Sequence, residues 1–398
     1  MSIISPFSSK DLLPQEEKLE LLFRRSDLQI GIPKEITFQE KRICLTPEAV
    51  GTLVSNGHQV LIEAGAGLEA NYTDKEYAEA GAEITHDTNK VFATPILLKV
   101  EPPTIDEIKK MNDNALLISA IQLKTRQKEY IEALQKKKIT AIAFEYIKES
   151  DGTYPVAKAL SQIAGKASVL IAAEIIGNHS EGKGLLLGNI TGVPPTEVVI
   201  LGAGNVGQHA AKTAIGLGAN VKVFDNSLQK LNKLQNALPS SIFTSTIQHK
   251  LLIKSLMRAD VVIGAVKGVN RSPVIVTETM VENMKQGAVI VDVSIDTGGC
   301  FETSEVTTHA NPTFVKHGVT HYCVPNISAR YSKTASLLIS NILVPYLLEV
   351  GEYGGVENAI RCNLGLKKGI YLYHGVLCNR KVGDWFGLNS NDVNLLVF

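Results

Sequence analysis

Cysteine is scarce in this chain, and its spacing argues against two kinds of site. The 398 residues contain five cysteines, Cys44, Cys300, Cys323, Cys362 and Cys378. They are odd in number and form no C-x-x-C pair, which argues against a disulfide framework and against a cysteine zinc site. We therefore expect reduced thiols in a cytoplasmic protein, no metal site, and a role for each cysteine as a small core residue.

Net charge is absent as well. Lys plus Arg and Asp plus Glu number 40 each, so the formal net charge is zero. A nucleic-acid partner would favour a basic surface, so we expect none. The charged fraction of 20% and the hydrophobic fraction of 44% are typical of a globular protein,. The length exceeds that of one compact core and predicts two domains.

Long uninterrupted apolar runs are missing. The N-terminus shows no basic segment followed by an apolar one, which predicts no signal peptide, and residues 14–25 have the pattern of a short amphipathic helix,. The most apolar stretch, at 336–350, is interrupted by Asn341 and Pro345 and is shorter than the roughly 18 residues of a membrane span,. It predicts a buried helix and no span.

Short apolar runs alternate with helical patterns in two stretches, residues 28–147 and 161–325. This alternation predicts parallel sheets, and hence an α/β fold of two doubly wound, Rossmann-like domains with a cleft between them. We expect a helix near 331–350 to return the chain to the first domain. Residues 1–150 plus 335–398 would then form one discontinuous domain, and residues 151–334 a second domain. The predicted strands read LQIGIP, QVLIEA, PILLKV, LLISAI and TAIAFEYI, then EVVIL, NVKVF, ADVVIGAV, AVIVDVS and THYCV.

A glycine turn follows the strand EVVIL. Gly202, Gly204 and Gly207 form G-x-G-x-x-G, with Asn205 and Val206 between the last two glycines, directly before a predicted helix. The first glycine permits a tight turn, the second lets backbone approach a pyrophosphate, and the third lets helix and strand pack closely. The phosphates would bind the free N–H groups at the helix N-terminus. The turn predicts a dinucleotide site.

Asp225 ends the next predicted strand, 18 residues after Gly207. A carboxylate there can accept hydrogen bonds from ribose hydroxyls and would repel a 2′-phosphate. NAD is therefore expected in preference to NADP. Residues 151–334 would then be the NAD-binding domain, and the discontinuous domain would be the substrate domain.

Further motifs resemble those of the alanine dehydrogenase and nicotinamide-nucleotide transhydrogenase family. They are GIPKE at 31–35, KRICLTPEAV at 41–50, GHQVLIEAGAG at 57–67, LLKV at 97–100 and VVILGAGNVG at 198–207, followed by GAVIVDVSIDTGGCFE at 287–302 and HYCVPN at 321–326. The last two resemble the alanine dehydrogenase branch. The resemblance runs from about Ile30 to about Asn379. It implies an NAD-dependent oxidoreductase that interconverts alanine and pyruvate plus ammonium.

The resemblance also implies site residues. Arg42 matches the arginine that holds the substrate carboxylate, Asp296 the catalytic aspartate beside the nicotinamide, and Asn326 an asparagine at the face between cofactor and substrate. For the cofactor, the matching positions are Ser161 at the pyrophosphate, Lys230 near the adenine ribose and Val266, where backbone approaches NAD.

Two positions depart from the family. Glu101 stands where the alanine branch has a substrate-binding lysine, and Gln122 stands where it has the histidine that acts as acid and base. A glutamine cannot act as a general acid or base, and a carboxylate would repel the substrate carboxylate. Glu101 could instead end a strand in solvent, and Lys99, two residues earlier on the same strand face, could pair with it or replace the missing lysine.

These departures leave three functions open. The first is an NAD-dependent amino-acid dehydrogenase, with slow alanine turnover if Glu101 and Gln122 occupy the lysine and histidine positions. The second is an NAD(H)-binding sensor or regulatory protein without the reaction. The third is a relative that acts on another 2-oxo acid. The family suggests a homo-oligomer.

Overall fold

The computed structural model describes residues 25–37, 39–122, 126–177, 182–268 and 271–397. The amphipathic helix predicted at 14–25 therefore lies outside the described residues, except for its last residue. The same holds for part of the Gly- and Pro-rich loop at 179–197 and for two residues of the loop at 266–273.

The strands lie where short apolar runs occur in the sequence. Among the described residues they are β1 (Gln29–Ile32), β2 (Gln59–Glu63), β3 (Glu83–Thr85), β4 (Ile96–Leu98), β5 (Leu116–Ser119), β6 (Thr140–Ala143), β7 (Glu197–Leu201), β8 (Asn220–Phe224), β9 (Phe243–Ser245), β10 (Val261–Gly264), β11 (Val289–Asp292), β12 (Thr313–Lys316), β13 (Val319–Tyr322), β14 (Ile370–Tyr373) and β15 (Val376–Leu377). The central strands are buried along their whole length, as expected when helices cover both faces of a sheet,.

The helices connect these strands and cover the sheets. They are α1 (Pro47–Ser55), α2 (Asp74–Glu79), α3 (Thr88–Phe92), α4 (Ile105–Lys110), α5 (Lys128–Lys136), α6 (Pro155–Ile176), α7 (Asn205–Gly216), α8 (Leu228–Ala237), α9 (His249–Leu256), α10 (Glu278–Glu282), α11 (Ser332–Glu352), α12 (Val356–Cys362), α13 (Leu364–Gly369) and α14 (Arg380–Phe386). Helix α1 begins as predicted, because Thr46 accepts a hydrogen bond from the Ala49 N–H and Pro47 takes the first turn,.

The strands of the described residues form two sheets. The first has the order β15-β14-β6-β5-β4-β1-β2-β3, and the second has the order β12-β13-β11-β10-β7-β8-β9. Neighbouring strands are parallel except where β14 pairs with β6 and β15, and where β12 pairs with β13. The strand order reverses at β1 in the first sheet and at β7 in the second. Ligands of such sheets bind beyond the carboxyl ends of the strands at this reversal.

The predicted α/β fold with two Rossmann-like sheets is confirmed. All ten predicted strands are present, although TAIAFEYI is a strand only to Ala143 and then turns into a 3₁₀ helix at Phe144–Tyr146. Five strands were not predicted, namely β3, β9, β12, β14 and β15. Strand β14 pairs with β6 although Ile370 and its partner Ile142 are far apart in sequence. The local pattern of the tail could not reveal this pairing. The predicted domain boundaries stay a prediction.

In the part of the chain that the structure describes, two helices are apolar enough to cross a membrane by length and composition, α6 and the stretch Ile327–Glu352 that contains α11. Helix α11 is therefore longer than the stretch at 336–350 suggested. Both helices contribute fully buried residues to the cores beside the sheets, for example Ala172 and Ile339. Their apolar composition is therefore explained by packing against the sheets. Gly165 of α6 lies against α7, because an added Cβ would come 2.4 Å from the Val206 carbonyl oxygen.

Helix α11 also fixes the loop that carries Arg42. Three buried serines spaced four residues apart, Ser332, Ser336 and Ser340, lie on one side of this helix,. The Ile43 N–H donates to the Ser336 hydroxyl at 2.9 Å, and the Thr46 N–H donates to the Ser340 hydroxyl at 3.1 Å. The backbone beside Arg42 is therefore anchored by residues about 290 positions later in the chain.

The cysteines only partly follow the prediction that each fills a core. Cys44, Cys300 and Cys323 are buried, Cys378 is half-buried and Cys362 is exposed. The prediction was wrong for Cys362, which ends the short helix α12 on the surface.

Candidate active site

The glycine turn after β7 has the geometry that each glycine predicts. Gly202 has a positive φ of 106°, and an added Cβ would come 2.4 Å from the Ala265 carbonyl oxygen. At Gly207 an added Cβ would come 1.8 Å from the Gly202 carbonyl oxygen, whereas at Gly204 no heavy atom lies within 4 Å. Helix α7 begins at Asn205 without a side-chain cap. The open space before its N-terminus suits an anionic group such as a pyrophosphate.

Asp225 is held against this turn. Its Oδ2 accepts a hydrogen bond from the Ala203 N–H at 2.8 Å, and its Oδ1 accepts one from the Ser227 N–H at 2.7 Å. A carboxylate has about four lone-pair positions, so two can still accept ribose hydroxyls. The ammonium of Lys230 lies 3.9 Å from Oδ2, and its side chain is more than half exposed.

A cavity of about 280 Å³ lies beside the turn. Five of the predicted residues line it, and they come from distant parts of the chain: Ser161, Val206, Val266, Asp296 and Asn326. The Val266 N–H donates to the Ser294 hydroxyl at 2.9 Å, and the Ser161 hydroxyl donates back to the Ala157 carbonyl at 2.7 Å. Sequence reasoning missed Lys267, Thr297 and Ser328, which also line this cavity.

Asp296 and Asn326 meet at one end of the cavity. The Asn326 N–H donates to Asp296 Oδ1 at 2.8 Å, and Asn326 has left-handed backbone with φ of 52°. The Asp296 carboxyl is open to the cavity but enclosed by protein elsewhere, and this desolvation raises its pKa although Asn326 and Arg42 oppose the rise. The Asn326 side-chain amide donates to Glu40 Oε2 at 3.0 Å. This bond links the second sheet to the loop after β1.

Glu40 and Arg42 form a buried two-point ion pair in that loop. Arg42 Nε donates to Glu40 Oε1 at 2.7 Å, and Arg42 Nη2 donates to Glu40 Oε2 at 2.5 Å. Arg42 Nη1 donates to the Ser328 hydroxyl at 3.3 Å. Burial disfavours the charge of Glu40, but the charge and hydrogen bonds of Arg42 outweigh it and lower the Glu40 pKa. Glu40 thus occupies one of the two edges of the guanidinium with which Arg42 could hold a carboxylate.

Glu101 is buried beside this pair, and the reading of it as a strand end in solvent was wrong. Only 5% of the residue is exposed. Its Oε1 lies 4.0 Å from Arg42 Nη2 and accepts a hydrogen bond from Gln122 Nε2 at 2.6 Å. Burial first, and the charge of Glu40 second, raise the pKa of Glu101 from 4.5 to about 7. The carboxyl therefore holds a proton far more readily than an exposed glutamate does, and it does not simply add a negative charge.

Gln122 reaches Glu101 from the loop after β5. Its backbone has a positive φ of 46°, which is uncommon for a residue other than glycine,. The neighbouring Ile121 N–H donates to Glu145 Oε1 at 2.8 Å. The desolvated Glu145 carboxylate, whose pKa is raised by burial, therefore supports the turn that aims Gln122 at Glu101.

Lys99 is held apart from Glu101 by other partners. It is 1% exposed, and its ammonium lies 2.6 Å from Glu35 Oε2 and 3.9 Å from Glu107 Oε1. The exposed ion pair considered for Lys99 and Glu101 is therefore wrong. Lys99 is also absent from the lining of the cavity, and the substrate-binding role predicted for it stays a prediction. Burial raises the pKa of Glu35 to about 7, even though Lys99 opposes the rise.

These contacts join residues from both sheets into one connected group, Gln122–Glu101–Arg42–Glu40–Asn326–Asp296. The sequence analysis identified all of them except Glu40. The spacing in QEKRI could have identified Glu40, because Glu40 and Arg42 are two residues apart and can face the same way in an extended segment,. Across the described residues, no three His, Cys, Asp or Glu side chains are grouped to hold a metal ion.

The comparisons with known proteins agree along nearly the whole chain. The family described as "Alanine dehydrogenase/PNT, N-terminal domain" matches residues 31–183, and the family described as "Alanine dehydrogenase/PNT, C-terminal domain" matches residues 168–380. The alanine dehydrogenase of Staphylococcus epidermidis is 37% identical over 369 residues, which are 92% of this chain and 99% of that protein. The chain belongs to the alanine dehydrogenase/PNT family. Alanine dehydrogenase 2 of Staphylococcus aureus is also 37% identical, over 92% of this chain and 98% of that protein.

Solved structures of the alanine dehydrogenase/PNT family have the same fold. An L-alanine dehydrogenase superposes with a TM-score of 0.85 at 35% identity, covering 90% of this chain and 99% of that one. The transhydrogenase of Sinorhizobium meliloti superposes with a TM-score of 0.75 at 26% identity, covering 88% and 98%. The predicted enzyme class, an oxidoreductase that acts on an amino group, is confirmed by these relatives. NAD fits the site, because the space before Gly204 is open and Asp225 is placed beside it.

Proposed function

We propose that this chain is an NAD-dependent amino-acid dehydrogenase that oxidises L-alanine or a close relative to the 2-oxo acid and ammonium. One observation carries the proposal. The hydrogen bonds from Asn326 to Asp296 and to Glu40, and the one from Arg42 to Ser328, connect the buried cation of Arg42 to residues that line the cavity beside the glycine turn. This supports a carboxylate site next to a dinucleotide site, as a hydride-transferring enzyme requires.

The residues have distinct roles in this proposal. Arg42 would hold the substrate carboxylate through the edge formed by Nη1 and Nη2, because Glu40 occupies the edge formed by Nε and Nη2. Asp296 and Asn326 would position the substrate against the nicotinamide. When bound, NAD accepts a hydride from the α-carbon of the substrate. The residues proposed to bind the cofactor are Ser161, Gly202, Gly204, Asn205, Val206, Gly207, Asp225, Lys230, Val266, Asp296 and Asn326.

A direct assay tests this function. The purified full chain is incubated with NAD and a panel of L-amino acids, and in the reverse direction with NADH, ammonium and the matching 2-oxo acids. We expect the absorbance of NADH to rise in the first assay and to fall in the second, with alanine and pyruvate active. Asp296→Asn should abolish both changes, whereas Asp384→Asn, at an exposed aspartate of α14, should leave them unchanged. The proposal is wrong if no substrate changes the absorbance more than it does with Asp296→Asn.

A second candidate is an NAD(H)-binding regulatory protein without turnover. It is favoured by the occupied edge of Arg42 and by Gln122, which cannot titrate,. Such a protein should bind NADH in calorimetry and turn over no member of the panel. The double substitution Glu101→Lys with Gln122→His should then create alanine activity, because it introduces the cation and the acid–base group that the alanine branch has at these positions.

We also propose a cytoplasmic homo-oligomer, from the family resemblance and from the cysteine content. Light scattering on the full chain at micromolar concentration tests the assembly, and a molar mass of 43.0 kDa, that of a single chain, would contradict it.

A further inference from the structure

We propose that Glu101 is the acid–base group of this active site, and that Gln122 is a positioning residue that holds one of its oxygens. The inference rests on the proposed dehydrogenase function. It assigns to a carboxyl the proton transfer that a histidine would otherwise perform, and it explains how a site with Glu101 and Gln122 at these two positions can still carry out the reaction.

The geometry around Glu101 holds one of its oxygens and places the carboxyl beside a second acid. Oε1 accepts the Gln122 amide at 2.6 Å and faces Arg42 Nη2 at 4.0 Å. The carboxyl also lies close enough to that of Glu40 for a hydrogen bond between them. Such a bond requires a proton on one of the two oxygens. The proton resides on Glu101, because the two-point pair with Arg42 keeps Glu40 ionised,.

Among the described residues, charged groups from the loops after β1 and β4 act on Glu101. Glu40 and Glu35, from the loop after β1, disfavour its ionised form, and Arg42 of the same loop favours that form. Lys99, two residues earlier, is attracted by Glu101 but is held by Glu35 and Glu107. Gln122 donates a hydrogen bond that either protonation state can accept. Glu40 and Glu35 together oppose ionisation of Glu101, and Arg42 alone favours it. The carboxyl therefore exchanges its proton near neutral pH, where a general acid–base group is most effective.

The proton steps balance for hydrolysis of a protonated 2-imino acid, the iminium that forms when the ammonium form of an amino acid loses a hydride and a proton. The ionised Glu101 takes a proton from water as the water oxygen bonds to the imine carbon, and a carbinolamine results. Glu101 then returns this proton to the nitrogen. The C–N bond breaks while the hydroxyl oxygen forms the carbonyl double bond, and the hydroxyl proton goes to the departing ammonia. The products are the 2-oxo acid and ammonium, and Glu101 is ionised again.

The protonated form also replaces the missing lysine. With a substrate carbonyl oxygen in place of Glu40 as its acceptor, the neutral carboxylic acid donates a hydrogen bond that polarises the carbonyl in a desolvated site. It does not repel the substrate carboxylate that Arg42 would bind. One side chain thereby supplies the polarising donor and the proton acceptor at different stages of the reaction.

The test compares the full wild-type chain with Glu101→Gln, whose amide keeps an oxygen that can accept the Gln122 hydrogen bond. We expect kcat to fall about 10²- to 10⁴-fold and the limb of the kcat/KM profile near pH 7 to disappear, while the affinity for NADH stays within about twofold. Glu101→Asp should recover part of the rate together with the limb. Glu129→Gln, at an exposed glutamate of α5, is the matched control and should behave as the wild type.

Infrared titration gives a readout that does not need turnover. The wild type should show carboxylic-acid absorption that is lost between pH 6 and pH 8, and Glu101→Gln should lack one carboxyl's share of it, while Glu35 supplies the rest. Equal absorption in both proteins overturns the proposal. So does a Glu101→Gln variant that keeps the wild-type rate and pH profile, and in that case the dehydrogenase function stands. If the wild type turns over no substrate, the proposed function is wrong, and the acid–base role fails with it.

Discussion

The buried carboxyl of Glu101 should make the protein less stable as the pH rises through neutrality. Its pKa is raised from 4.5 to about 7, mainly by burial. Unfolding returns the carboxyl to its ordinary pKa, so between pH 4.5 and 7 the folded chain binds this proton more tightly than the unfolded chain does. The stabilisation from Glu101 is therefore fully present below pH 4.5 and is lost as the pH rises through about 7.

The magnitude follows from the two pKa values. Each pH unit between them is worth about 1.4 kcal/mol, so the span from 4.5 to about 7 corresponds to about 3 kcal/mol of unfolding free energy. Glu101→Gln carries an uncharged side chain of the same shape. We expect it to match the wild type near pH 5 and to be about 3 kcal/mol more stable near pH 8. With an m value of about 3 kcal/mol per M, its urea midpoint at pH 8 should be about 1 M higher.

The single tryptophan gives a suitable signal for this measurement. Trp385 lies in α14, whose Val382 belongs to a core beside the first sheet, and Glu101 follows β4 of the same sheet. Its fluorescence in urea, recorded at pH 5 and pH 8, therefore reports the unfolding of the part that contains Glu101. Glu129→Gln should shift neither midpoint. A Glu101→Gln midpoint at pH 8 equal to or below that of the wild type would refute the reasoning, because the ionised carboxyl would then carry no cost in the folded state.

Three further predictions concern the cofactor and the substrate. NADP(H) should bind at least tenfold more weakly than NAD(H), a difference of about 1.4 kcal/mol in binding free energy. Asp225→Ala should reduce this difference in affinity. Equal affinities of the wild type for the two cofactors in calorimetry would contradict the role of Asp225. Gly204→Ala should lower the affinity for NADH while the thermal midpoint stays unchanged, because the added methyl meets only the space of the pyrophosphate; Gly216→Ala, at a site equally open on the same helix, should change neither. Arg42→Ala should destabilise the chain by about 3–5 kcal/mol, because it leaves Glu40 buried without its cation. Arg42→Lys should recover part of that stability and raise KM for the amino acid, and an unchanged KM would remove Arg42 from the substrate site.

The ten predicted strands could be found because each is a short apolar run between turn residues, a signal contained in a few neighbouring residues. The strands that escaped prediction depend more on their pairing partners. Strand β14, an apolar run between Gly369 and Gly375, adds to the edge that β6 leaves, and this partner lies far away in the sequence. Strand β12 pairs back onto the adjacent β13 across His317 and Gly318, so this hairpin has a local signal that the prediction missed,.

By itself, the sequence determined the glycine turn and the carboxylate beside it, where NAD is proposed to bind. G-x-G-x-x-G, the strand before it and Asp225 after it lie within 29 residues, and their geometry follows from local backbone rules for glycine and for helix N-termini,. The sequence also showed that Glu101 and Gln122 are unusual for the family, but it predicted that Glu101 is exposed to solvent or repels the substrate carboxylate. Only the tertiary structure shows that Glu101 is buried. It buries Glu101 between loops that follow β1, β4 and β5, and there the desolvation and the neighbouring charges, not the residue type, set the proton affinity,.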